Sequence, residues 1–183
     1  MMKILVTGGT GLVGGGLLRR LGGDGGRAVV ATVRSRGVVL PPGVETARVA
    51  DLGPDTDWSP ALAGVDAVVH CAARAHVMNE RASDPLAVFR RVNVQGALRL
   101  AEQAAAADVR RLVFLSSIKV NGESTPSGQS FRADDRPAPQ DAYGISKHEA
   151  EDGLMTLARA TGMQLVIIRP PLVYGPGVKG NFA

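Results

Sequence analysis

The chain has 183 residues, 45% of them hydrophobic and 4% aromatic, with 21% charged and a formal net charge of +4. That length and apolar content suffice for one domain with a full core, and an aromatic-poor core of small branched side chains suits a parallel sheet with helices on both faces. Scattered arginines without interleaved aromatics argue against a nucleic-acid surface, the single cysteine excludes an internal disulfide, and no apolar run approaches the length of a membrane span.

Residues 3–7 form a short apolar run that ends in glycines and reads as a buried strand. A helix is predicted over about 11–21, with Leu12, Leu17, Leu18 and Leu21 apolar, and the chain breaks at 22–26. Strands are expected at 28–33 and at 45–50, the second ending at Asp51-Leu52. A short helix at 59–63 leads to a strand at 67–72, where Cys71 reads as a buried thiol of a cytoplasmic chain. The longest helical stretch, 84–106, opens on Asp84-Pro85, an N-cap followed by proline at the first helical position. A strand at 111–116, a loop at 124–141 rich in Ser, Pro, Gly and charge, a helix at 143–161 and a strand at 164–169 complete the series. Glu102, Glu149 and Glu151 read as solvated helix faces. Strands alternating with helices predict an α/β fold, a doubly wound parallel sheet of Rossmann type that binds ligands beyond the strands' carboxyl ends.

The candidate residues stand at those ends. Gly8, Thr10, Gly11, Leu12, Val13 and Gly14 lie between the first strand and the first helix, in the spacing of a dinucleotide loop. Gly8 permits the tight turn, Gly11 lets backbone approach a pyrophosphate, and Gly14 lets the helix pack closely, while the helix N-terminus offers free N–H groups to phosphate. Gly15 and Gly16 cost about 1 kcal/mol each relative to alanine in a helix interior, with no compensating reason in the sequence. The second strand ends Thr32-Val33-Arg34-Ser35-Arg36, without the carboxylate that would accept from a 2′-hydroxyl. Arg34 would suit a 2′-phosphate, so NAD and NADP both stay open as cofactors. Asp51-Leu52 is placed to meet the adenine, with Asp51 accepting from the exocyclic amine or capping a turn.

Tyr143 and Lys147 stand four apart at a helix start and so share a face. An ammonium beside a phenol favours the phenolate, which makes Tyr143 a candidate general acid or base. Ser116 and Ser117 follow the fifth strand, and the Ser117 hydroxyl is placed to bond a substrate oxygen or the tyrosine. His70 and His76 have no ligand cluster at suitable spacing, so no metal is expected.

Taken together these motifs resemble the extended short-chain dehydrogenase/reductase family, in its NAD(P)-dependent nucleotide-sugar epimerase/dehydratase branch, over essentially the whole chain. Gly8, Gly11 and Gly14 look like its cofactor loop and Asp51-Leu52 like its adenine contact. His70-Cys71-Ala72-Ala73 looks like the segment beneath the cofactor, and Asn93-Val94-Gln95-Gly96 like its helix motif. Ser117, Tyr143 and Lys147 fall on its catalytic positions. The run from Arg169 to Gly177 looks like its late strand-to-loop motif, with Pro170 on the nicotinamide side, and Asn181 resembles the asparagine that meets a sugar nucleotide's diphosphate.

The resemblance implies a sugar-nucleotide substrate, a UDP-sugar first, with Tyr143 exchanging a proton at the sugar C4 hydroxyl and Lys147 holding the nicotinamide ribose. It implies no membrane partner and allows a homodimer through a four-helix contact of the 84–106 and 143–161 helices. Ile118-Lys119 stands where a dehydratase carries Asp-Glu, which disfavours dehydration. Leu172 stands where hexose epimerases often carry asparagine; with the missing NAD-type acid, this raises a 4-keto-sugar-nucleotide reductase or dehydrogenase of surface polysaccharide synthesis. A non-catalytic NAD(P)-binding sensor is the alternative of another class. Family members carry a C-terminal portion that closes over the sugar, so residues 1–183 are expected to form the NAD(P)-binding domain and to turn over poorly alone.

Overall fold

A computed structural model describes residues 1–23, 25–49, 51–75, 83–176 and 178. In chain order the elements are β1 (Met2–Thr7), α1 (Leu12–Gly22), β2 (Arg27–Val33), β3 (Val44–Arg48), α2 (Ser59–Leu62), β4 (Ala67–His70), α3 (Pro85–Phe89), α4 (Gly96–Ala106), β5 (Arg111–Leu115), α5 (Ala142–Thr161) and β6 (Gln164–Ile168). Six strands pair in the order β3-β2-β1-β4-β5-β6, and every pairing is parallel. This is the doubly wound sheet that the strand–helix alternation predicts. The order reverses between β1 and β4, and the crevice at their carboxyl ends is where such sheets take ligands.

The central strands are apolar over most of their length because both faces are covered. Leu5, Val68, Leu112 and Phe114 face one layer, packed by Leu62 of α2, Leu100 of α4 and Leu154 of α5. Ile4, Val6, Val29 and Ala31 face the other, under Leu18 of α1. Strand β6 lies at the edge, and its Val166 and Ile168 are 42% and 45% exposed.

The helix predicted over 84–106 is interrupted. Asp84 caps α3 as expected, accepting from Ala87 N at 3.0 Å. A π-helical turn, Arg90–Gln95, then joins α3 to α4. Such turns recur at functional sites, and here the wide turn carries Asn93, which is 1% exposed. Asp141 caps α5 by accepting from Gly144 N at 2.6 Å, and α5 closes on Gly162 in the left-handed conformation at φ +76°. A Cβ on Gly15 would stand 3.1 Å from the Gly9 carbonyl oxygen, which explains that glycine; nothing in the structure explains Gly16. Among the described residues no helix is long and apolar enough to cross a membrane.

Candidate active site

The glycine loop runs from the end of β1 into α1. Gly8 sits at φ +71°, and a Cβ there would come within 2.7 Å of Ala72 N, so it serves the close passage of the β4 exit as well as the turn. A Cβ on Gly14 would collide with the Gly8 carbonyl, so Gly14 packs the helix against the loop. Gly11 N–H donates to Gly8 O at 3.0 Å, and Gly11 caps α1 with no side chain over its first turn. Thr10 and Gly11 are exposed and Leu12 and Val13 half-buried, which leaves the first-turn N–H groups open to an anion.

Thr7 and His70 lock the ends of β1 and β4 together, a feature the sequence reading missed. Thr7 Oγ1 stands 2.7 Å from His70 Nδ1 and accepts from Ala72 N at 3.1 Å. Burial, with the nearby Lys147 second, pushes His70 down to about 3, so the ring is neutral. Its Nε2 and the Ser116 Oγ are buried polar atoms with no hydrogen-bond partner. Cys71 is half-buried, outside the strand, and burial pushes its thiol up to about 11, against the pull of Lys147. Ala72 is half-buried and Ala73 exposed in the same crevice.

At the adenosine end, Arg34 Nη1 stands 3.5 Å from Asp51 Oδ1, and both side chains are largely exposed. The turn after β3 is held by Thr56, whose Oγ1 donates to Asp51 O at 2.7 Å and accepts from Gly53 N at 3.0 Å. The side chain that holds this turn is thus Thr56, and the Asp51 carboxylate faces Arg34. Leu52 fills the notch left by Gly96, where a Cβ would stand 2.9 Å from Leu52 Cγ.

Asn93, expected among the cofactor contacts, is engaged by the protein. Its Oδ1 accepts from Arg74 N at 2.8 Å, and its Nδ2 donates to Arg74 O at 3.1 Å and to Ser146 Oγ at 3.0 Å. Ser146 Oγ donates on to Tyr143 O at 2.8 Å. Asn93 thus ties the segment after β4 to the first turn of α5 and shapes the crevice.

Ser117 is among the groups that act on Tyr143. Burial raises the Tyr143 phenol above its ordinary range, with Asp141 adding to the rise, while the Ser117 hydroxyl and then Lys119 lower it. Lys119 is a cation that acts on Tyr143, one that the helical spacing did not suggest. Lys119 Nζ reaches Asp141 Oδ2 at 2.6 Å and Glu123 Oε1 at 3.1 Å, and so fastens the turn carrying Ser117 to the α5 cap. Lys119 N donates to Ser117 Oγ at 3.3 Å, so Ser117 also caps that turn. Lys147 is 1% exposed, its ammonium 3.9 Å above the Phe114 ring. Burial pushes it down to about 7, against the opposing pull of Glu151 and then Cys71.

Glu151, expected on a solvated face, is wholly buried against Arg169. Glu149 is half-buried and bonds Arg90 at 2.6 Å. Pro170 is half-buried, and its carbonyl accepts from Ile118 N at 3.0 Å, which places it beside the Ser117 turn. His76, Gly177 and Asn181 lie outside the described residues. Among the described residues no group of three or more His, Cys, Asp or Glu is arranged to hold a metal ion. A glycine-rich loop, first-turn N–H groups open to an anion, an arginine–aspartate pair at strand ends and unpartnered buried polar atoms at His70 and Ser116 together fit a dinucleotide.

A family model described as the NAD dependent epimerase/dehydratase family matches residues 4–183. The chain is 47% identical to a UDP-glucose 4-epimerase of Vibrio cholerae over 181 residues, which is 99% of this chain and 55% of that protein. A short-chain dehydrogenase/reductase superfamily protein from Agrobacterium tumefaciens, solved with bound NAD, matches at TM-score 0.76 and 34% identity, over 91% of this chain and 48% of that one. UDP-glucuronic acid 4-epimerase from Bacillus cereus, in complex with NAD, matches at TM-score 0.81 and 25% identity, over 96% of this chain and 58% of that one. The chain therefore spans about half the length of the relatives it matches.

Proposed function

The chain belongs to the NAD dependent epimerase/dehydratase family, and from that premise we propose that it is the cofactor-binding domain of a nucleotide-sugar epimerase or oxidoreductase acting at a sugar C4. The observation that carries this reading is Tyr143 and the buried Lys147 one turn apart at the start of α5, with Ser117 acting on the Tyr143 phenol. The dinucleotide, when bound, supplies the hydride acceptor or donor. Gly8, Thr10, Gly11, Leu12, Val13 and Gly14 would hold its pyrophosphate, Asp51 and Leu52 its adenine, and Ser116, Cys71, Ala72, Ala73, Lys147 and Pro170 its nicotinamide half. The family points to NAD, and Arg34 keeps NADP within the reading.

Tyr143 gives its phenol proton to the C4 oxygen in reduction and, as the phenolate, takes the C4 hydroxyl proton in oxidation, while Ser117 bonds the same oxygen. Burial holds the phenol protonated, and Ser117 and Lys119 work against that. Lys147, titrating near 7, exchanges protons at working pH. A UDP-sugar is the first substrate, supported by the Vibrio cholerae relative. Asn181 is read as its diphosphate contact, and a homodimer through α4 and α5 and a cytoplasmic location belong to the same reading. The alternative of a 4-keto-sugar-nucleotide reductase or dehydrogenase draws on Lys119, which is tied to Asp141 and Glu123 where a dehydratase needs free acid–base groups.

A panel of UDP- and dTDP-sugars with NAD and NADP, run on the longest available form of the protein, parent and Tyr143→Phe, tests the reading. The variant is expected to lose turnover and keep cofactor affinity; surviving turnover would refute the role of Tyr143.

A further inference from the structure

Glu151 lies one helical turn beyond Lys147 and two beyond Tyr143, so the three share a face of α5. Its buried carboxylate meets the guanidinium of Arg169 fork to fork: Arg169 Nε donates to Oε1 at 3.0 Å and Nη2 to Oε2 at 2.5 Å. Arg169 Nη1 reaches on to Asn121 Oδ1 at 3.1 Å. Other titratable groups near Lys147 among the described residues are Tyr143, one turn back on the same helix, and His70 and Cys71 at the end of β4. His70 is neutral, and the Cys71 thiol and the Tyr143 phenol are held protonated at neutral pH. Glu151 is thus the formal negative charge acting on Lys147 among the described residues.

Lys147 and Glu151 are therefore buried one turn apart on α5, where an unshared charge is costly, and the partly exposed Arg169 guanidinium takes the carboxylate. We propose that Arg169 and Lys147 divide the charge of Glu151: Glu151 is the buried counter-ion of Lys147, and Arg169 is the partner that competes for it. Both act through Lys147 and are positioning residues, and the inference rests on the reading of Tyr143 and Lys147 as the proton-transfer pair. A buried lysine with no counter-ion is neutral well below pH 7, and one with a carboxylate to itself stays charged well above it. Lys147 lies between these limits, with Glu151 opposing the effect of burial.

The test follows the Lys147 Cε resonance through pH in the 13C-lysine-labelled chain, for the parent and for Glu151→Gln, Arg169→Lys and Arg169→Gln. Glu151→Gln is expected to lower the Lys147 midpoint by about one pH unit or more. Arg169→Gln should raise it comparably and Arg169→Lys by less, because the ammonium keeps the charge and loses the fork. A merely structural role would loosen α5, admit water and move every variant toward the ordinary lysine value. Movement of all variants in one direction, or no movement in Glu151→Gln, overturns the proposal. Should a single variant fail to unfold cooperatively, the Glu151→Gln/Arg169→Met double variant decides: a lowered midpoint supports the proposal, and an unchanged or raised one overturns it. The readout needs neither cofactor nor substrate, so turnover surviving in Tyr143→Phe would sink the functional reading and leave this result standing.

Discussion

Ala72 passes so close to Gly8 that a Cβ on Gly8 would stand 2.7 Å from the Ala72 nitrogen, at a residue already at φ +71°. The exit of β4 and the turn after β1 are therefore one object. Gly8→Ala is expected to lose about 2 kcal/mol or more, from left-handed strain plus displacement of the β4 exit, and to abolish NADH binding. Urea unfolding and NADH fluorescence measure the two effects. Gly16→Ala is the control: its Cβ would meet only Arg19 Nη2 at 3.9 Å, so a gain of about 1 kcal/mol is expected.

Asp141 caps α5 and opposes ionisation of Tyr143, whereas Lys119 favours it. Lys119→Met should therefore move the phenol titration up. Asp141→Asn should move it down, and a loss of about 1 kcal/mol of stability accompanies the altered cap. Ultraviolet titration against a Tyr143→Phe background isolates this phenol from Tyr174. Shifts of like sign in both variants would contradict the assignment.

His70 binds a proton near 6.5 when unfolded and only near 3 when folded, because of burial. Over that window the unfolded chain holds more protons than the folded one, so stability falls as pH drops, by up to ~1.4 kcal/mol per pH unit. Lys147 has the same sign in a higher window, from its folded value of about 7 to its ordinary value of 10.5, where stability rises with pH. Urea midpoints across pH for parent, His70→Gln and Lys147→Met separate the two. A flat profile in the parent between pH 6 and pH 4 would contradict the buried neutral histidine.

Asn93 bonds both the N–H and the carbonyl of Arg74, and Ser146 besides. Asn93→Ala leaves those groups short of partners and should cost about 1–3 kcal/mol. It should also weaken NADH binding several-fold by releasing the segment after β4. Asn93→Asp, which keeps the acceptor for Arg74 N but not the two donors, is expected to fall between. Parent-like affinity in Asn93→Ala would show that the clamp does not shape the crevice.

Short-range pattern determined a large share of this protein before any coordinates. Apolar runs and helical spacing mark every strand and nearly every helix, and glycines at 8, 11 and 14 declare the loop, because a missing Cβ is a local property. Tyr143 and Lys147 were legible for the same reason, since four residues make one turn. The π-helical turn Arg90–Gln95 was not, because one extra residue in a turn hardly disturbs an apolar stripe. Only the tertiary structure decided which charges act on which. Lys119 with Asp141, Glu151 with Arg169, Arg34 with Asp51 and Thr7 with His70 are separated along the chain, and the sheet order brings each pair together. In sequence Glu151 is indistinguishable from a solvated helix glutamate. Its burial, and with it the state of Lys147, follows from β6 lying beside β5 under α5.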